Sequence, residues 1–176
     1  MNRNSRKKEI TIILLLLLIT TIAVCVSVWA LFFYEPKVAL APDYALQETE
    51  PNQQPIKNEN DKKMETTAGG GAVSLRYSDK VTMDLSDKKV ILNFANPGKS
   101  TQDMILQIMI QDQIIVQSGR ITPGNKVDTL LLLDDAIKKL SSGGYEGKYI
   151  VYYYEPKTGE KSVVNTEIPI TITVQE

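Results

Sequence analysis

Met104-Ile105-Leu106-Gln107-Ile108-Met109-Ile110-Gln111 is the stretch whose reading decides the fold. Met104, Leu106, Ile108 and Ile110 alternate against Asp103, Gln107 and Gln111. A period of two sets one group of side chains on one face of a pleated strand. The same alternation recurs N-terminal to it, and further runs follow C-terminal to it, of which Leu130 to Leu133 is continuously apolar. N-terminal to it stand Val73, Leu75 and Tyr77, then Val81, Met83 and Leu85, then Val90, Leu92 and Phe94. C-terminal to it come Ile114 to Ser118, Val127 to Leu133, Lys148 to Tyr154 and Ser162 to Val174. Turn signals separate these runs: Ser78-Asp79, Ser86-Asp87, Asn96-Pro97-Gly98, Asp112-Gln113, Pro123-Gly124-Asn125 and Pro156-Lys157-Thr158-Gly159.

Seven to nine short strands in about 105 residues predict an all-β domain over 72–176, an antiparallel two-sheet sandwich of immunoglobulin-like type. One short helix interrupts it. Leu133, Ile137 and Leu140 have helical spacing, Asp134 and Asp135 favour a helix N-terminus, and Gly143-Gly144 ends it. Pro169 cannot donate to a ladder, so the last strand is an edge or changes sheets there.

Residues 35–71 read as a disordered linker. They hold Pro36, Pro42, Pro51 and Pro55, many polar residues, and the run Gly69-Gly70-Gly71. Apolar residues are too sparse to offset the entropy of ordering. A flexible coil of that length spans about 30–37 Å.

Ile10 to Phe33 carries no charged residue and contains Leu14, Leu15, Leu16, Leu17 and Leu18 in succession. As a helix it is about 36 Å long, enough for a hydrocarbon core of about 30 Å with some tilt. Trp29, Phe32, Phe33 and Tyr34 suit the headgroup level, giving a transmembrane anchor over 10–34. Arg3, Arg6, Lys7 and Lys8 precede the run, so 1–9 is a cytoplasmic tail and the C-terminal domain lies outside. The run is longer than a signal-peptide core, and Ala39-Leu40-Ala41 lies beyond its end, before Pro42. Val24 precedes Cys25 where a lipid-modification signal wants a small residue. Both features predict an uncleaved anchor in the cell membrane.

The 176 residues carry 20 Lys plus Arg and 21 Asp plus Glu, a formal charge of −1. No basic cluster marks the β region, so a nucleic-acid partner is not expected. The chain has no histidine, and Cys25 is its one cysteine. Ser–His and Cys–His nucleophilic pairs and disulfides within the chain are thereby excluded. Asp134 and Asp135 are adjacent and do not face each other on a helix. Asp79, Asp84 and Asp87 match no calcium-loop spacing. No enzyme activity, metal or cofactor is expected. Glu155-Pro156-Lys157-Thr158-Gly159 resembles a sortase sorting signal but has Glu155 for leucine and no apolar tail. It reads as a hairpin turn with Gly159 at positive φ.

Within Lys148 to Tyr154, alternation puts Tyr152 and Tyr154 on one face with Ile150, and Tyr149 and Tyr153 on the other with Val151. Tyr149 and Tyr153 are the candidate ligand-binding pair, as anchors on an outer sheet face; cross-strand packing of ordinary aromatics is the alternative.

The stretch NFANPGKSTQDMILQIMIQDQIIVQSGRITPGNKVDTLLL, followed by LSSGGYEGKYIVYY, resembles bacterial immunoglobulin-like surface modules of the adhesion-related CARDB type. Asn96-Pro97-Gly98, Pro123-Gly124 and Gly144-Tyr145 carry the resemblance, and Asp134 to Leu140 departs from it. The layout also resembles single-pass surface proteins of Gram-positive bacteria. These likenesses imply a surface interaction or assembly module, accessory to envelope, adhesion or secretion machinery. Its partners would be the lipid bilayer and an envelope or surface protein, met by edge-strand pairing. A glycan- or peptide-binding domain is one rival. A pilin-like subunit is another, motivated by Glu9 before the apolar helix and opposed by Pro36 and the linker.

Overall fold

The computed structural model describes residues 3–33, 41–57 and 61–176. The chain divides into two compact units, Met1–Ala39 and Leu40–Glu176.

The first unit contains helix α1 (Arg3–Phe33). Its window Glu9–Val26 has a mean hydropathy of 2.7 and none of it is buried, so the helix is long and apolar enough to cross a membrane. A signal sequence would pass the same test. Leu14 to Leu18 are all exposed along it. The side chains of Trp29, Phe32 and Phe33, expected at the outer interface, lie outside the described residues.

The second unit is built from β1 (Gln53–Pro55), β2 (Arg76–Tyr77), β3 (Lys80–Asp84), β4 (Lys89–Asn96), β5 (Asp103–Ile110), β6 (Gln113–Gln117), β7 (Asn125–Leu131), the short helix α2 (Asp134–Ile137), β8 (Gly143–Tyr154) and β9 (Lys161–Gln175). Each strand from β3 onward overlaps one of the runs read from the sequence, although β6 (Gln-Ile-Ile-Val-Gln) does not alternate. Val73 and Leu75 instead precede a strand of only two residues. Gly143 and Gly144, which the sequence places at a helix end, already belong to β8.

The strands form one curled mixed sheet in the order β1-β7-β4-β3-β9-β8-β5-β6, with β2 paired to β4. This differs from two antiparallel sheets, because β9 pairs antiparallel with β8 and parallel with β3. Alternation reports which face a side chain takes, not which strand lies beside it or in which sense. β9 is long enough to serve both arms. The curl brings the inner faces together over one core: Val81 and Met83 of β3, Val90 and Phe94 of β4, Leu106 and Ile108 of β5, Ile170 and Ile172 of β9. Apolar side chains of this size contribute about 1.5–3 kcal/mol each when fully buried.

The expected linker is the larger correction. The domain begins at Leu40, not at residue 72. β1 lies inside the expected linker and pairs with β7, Gln53 opposite Val127 and Pro55 opposite Asn125. Further on, Met64 donates its N–H to Lys99 O, and Ala72 pairs with Thr101 through backbone and hydroxyl. These residues are ordered by hydrogen bonds to a sheet already built, a signal that apolar content does not register.

Candidate functional site

Residues 41–50 form a strap across the outer face of β5 and β8. The Tyr154 hydroxyl donates to Pro42 O at 2.8 Å, Lys161 Nζ to Ala41 O at 3.1 Å, and Ala41 N to Gln117 Oε1 at 2.9 Å. Lys161 N donates to Asp43 O, and Tyr44 bridges to Glu160 in antiparallel sense. The strap ends on Glu50, a buried carboxylate. Glu50 accepts from Gly119 N at 2.6 Å and from Asn52 N and Nδ2 at 3.1 and 3.0 Å. Its own N–H donates to Arg120 O. Gly119 is required there, since a Cβ would stand 2.9 Å from Glu50 Cα. Arg120 in turn pairs with buried Asp103 at 3.6 Å and reaches Gln47 O. Burial raises the Asp103 carboxyl above 3.8, with Arg120 and then Lys63 pulling the other way.

β5 is buried on both faces. Ile105 and Gln107 point away from the core, yet both are fully buried. Gln107 Nε2 donates to Gln117 Oε1, the same oxygen that accepts from Ala41.

The tyrosines of β8 take faces opposite to the binding-site expectation. Tyr149, Val151 and Tyr153 enter the core; Tyr149 is 0% and Tyr153 3% exposed. The register decides this, because Tyr149 stands opposite Ile108 and Val151 opposite Leu106, whose side chains fill the core. Tyr149 packs edge-on against Tyr77 and Phe94 at 6.5 and 6.0 Å between ring centres. Its hydroxyl has no partner among the described residues, and burial pushes its pKa upward, Asp79 adding to the effect. The Tyr153 hydroxyl is 2.6 Å from Thr166 Oγ1. Tyr154 lies beneath the strap, and burial pushes it up to about 12. Tyr152 carries Lys161 Nζ 5.6 Å from its ring centre.

The acidic candidates are used locally. Asp84 accepts from Ser86 Oγ and Asp87 N, both at 2.9 Å, and the Asp87 N–H is the main cause that lowers its pKa. Asp134 pairs with Lys88 at 3.2 Å at the start of α2. Among the described residues, no group of three or more His, Cys, Asp or Glu is placed to hold a metal ion. Glu155 to Glu160 closes a hairpin, with Gly159 at φ 73° as its turn requires.

The sheet ends on β1 and β6, and β9 adds a further edge with unmet capacity on its outward side. Thr171 donates its N–H to Asp79 O, and parallel pairing with β3 covers Thr171 to Gln175. Main-chain groups of a strand alternate between its two sides, so residues 165, 167 and 169 also turn theirs away from β8. No strand pairs with that side of β9 before Thr171 among the described residues. Pro169 stands on the open side, where a missing N–H costs no bond to β8. Of the two placements that Pro169 predicts, an edge or a change of sheets, the structure has the edge: β8 stays paired across Pro169 within the one sheet. At the N-terminal end of the edge a bulge exposes Val163 and Val164, the former completely. Across from them lie Thr66 to Gly71, forming with β9 and the Glu155–Glu160 hairpin a groove of about 830 Å³. The sequence does not announce this groove, because Thr66 to Gly71 reads as tether.

No protein-family model matches the chain, and no curated protein matches it. Among solved structures it has a weak likeness to AggA, the major subunit of aggregative adherence fimbriae type I from Escherichia coli. That likeness has 10% sequence identity and a TM-score of 0.28, covering 60% of this chain and 96% of that one.

Proposed function

We propose that this is a single-pass membrane protein whose β domain is a non-catalytic interaction or assembly module on the outer side, serving envelope, adhesion or secretion machinery. The observation that carries the reading is the open half of β9, a row of backbone donors and acceptors beside a groove. Such an edge recruits a partner by adding a strand. Arg3, Arg6, Lys7 and Lys8 before the apolar run support an inside N-terminus. The resemblance of residues 93–153 to CARDB-type modules of Gram-positive surface proteins supports the surface setting, and with it an immunoglobulin-like reading of the two arms of the sheet. The glycan- or peptide-binding alternative loses Tyr149 and Tyr153 as anchors, since both are in the core. The test is surface crosslinking on intact cells followed by purification of the full chain. A reproducible protein partner is expected; recovery of the chain alone counts against the proposal.

A further inference from the structure

We propose that the groove between β9 and Thr66–Gly71 receives an extended polypeptide segment of a partner protein, low in net charge and apolar at alternate positions. This rests on the interaction-module reading and adds the place and chemistry of the partner.

Three features select such an occupant. First, Asn165 and Glu167 present N–H and C=O groups at strand spacing on the side that β3 does not cover. A row of that kind is matched by another backbone, not by a sugar or a lipid. β9 lines the groove as far as Val164, and the open edge continues from there through Asn165 and Glu167; residues 163–169 together span about 23 Å, enough for a strand of ordinary length. Second, the facing wall contains Gly69, Gly70 and Gly71 next to Ala68, so the side chain that reaches between the walls is that of Gln102, which packs on Gly71 and accepts from Ser162 Oγ at 2.7 Å. Third, Val163 and Val164 offer methyl groups at one end, while Glu155, Lys157, Glu160 and Lys161 around them supply both signs of charge. Apolar side chains gain by covering the valines, and neither a strongly acidic nor a strongly basic segment is favoured.

The test places a photoreactive p-benzoylphenylalanine at Val164 of the full chain in its membrane, and separately at Ile91, exposed on the outward face of β4. Crosslinking from Val164 to a polypeptide is expected, with the captured peptide sequenced as an alternating apolar segment. Asn165→Pro removes an edge N–H that β8 does not use, and should lower the yield about tenfold, the worth of one or two hydrogen bonds. Thr66→Trp narrows the groove from the other wall and should do the same with β9 untouched. Yield unchanged in both variants overturns the proposal. So does crosslinking from Ile91 alone, which leaves the interaction-module reading standing. Capture from neither position overturns both.

Discussion

At the scale of single residues, the buried Tyr149 hydroxyl is the most exposed to test. An unsatisfied buried polar group costs about 1–3 kcal/mol, while the ring packs against Tyr77 and Phe94. Tyr149→Phe keeps the ring and removes the orphan, so it is expected to leave stability unchanged or raise it by about 1 kcal/mol in urea unfolding. Glu50 and Gly119 have the opposite sign. Glu50→Ala leaves the Gly119 N–H without its acceptor and should cost about 2 kcal/mol. Gly119→Ala puts a methyl group against the strap backbone, where nothing flexible can yield, and should cost about 1–3 kcal/mol. Thermal unfolding midpoints of the two variants check both. Asp103 supplies a pH signature. Burial raises its pKa, so the folded domain holds that proton more tightly than the unfolded chain. Its stabilising contribution is full below the ordinary aspartate value and is lost as pH climbs through the raised one. Asp103→Asn should flatten that part of the stability–pH profile, measured by denaturant titration across the acid range; a profile that keeps its slope refutes the assignment.

At the scale of elements, the alternating runs were legible and their neighbours were not. Met104, Leu106, Ile108 and Ile110 announce a strand and its core face, because pleating converts sequence parity into sidedness. Tyr149 and Tyr153 could not be assigned to a face by parity alone. Only the register against Ile108 and Met104 settles it, and register is a relation between distant segments. Gln107 shows the converse case: a polar residue at an outward position, buried because a remote stretch lies over it. The strap itself has too little apolar content to announce its order. Pro169 was readable, since a residue without an N–H restricts where its strand can sit. The consequence is a deletion experiment. A fragment starting at residue 72 loses the strap, β1 and Glu50, and leaves the Tyr154 hydroxyl and the Gly119 N–H without their partners. It should be less stable than one starting at residue 40 by about 3 kcal/mol or more in denaturant unfolding, the cost of leaving such buried groups unpaired.

For the whole molecule, one apolar helix and one β domain are joined through residues 34–40. The proposed topology predicts that protease added to intact cells removes the domain and spares α1, and that N-terminal sequencing of the mature protein finds the leader intact. A chain beginning after residue 41 would instead mean cleavage, and would part the β domain from α1. With the helix retained, every tug exerted on the domain by a bound partner travels along the chain and enters at Ala41. There it meets isolated bonds from Gln117, Tyr154 and Lys161, not a continuous ladder. If they open in turn through Glu50, residues 41–50 release about 33 Å of chain, a mechanical fuse that would lengthen under load before the ladders of the sheet are strained.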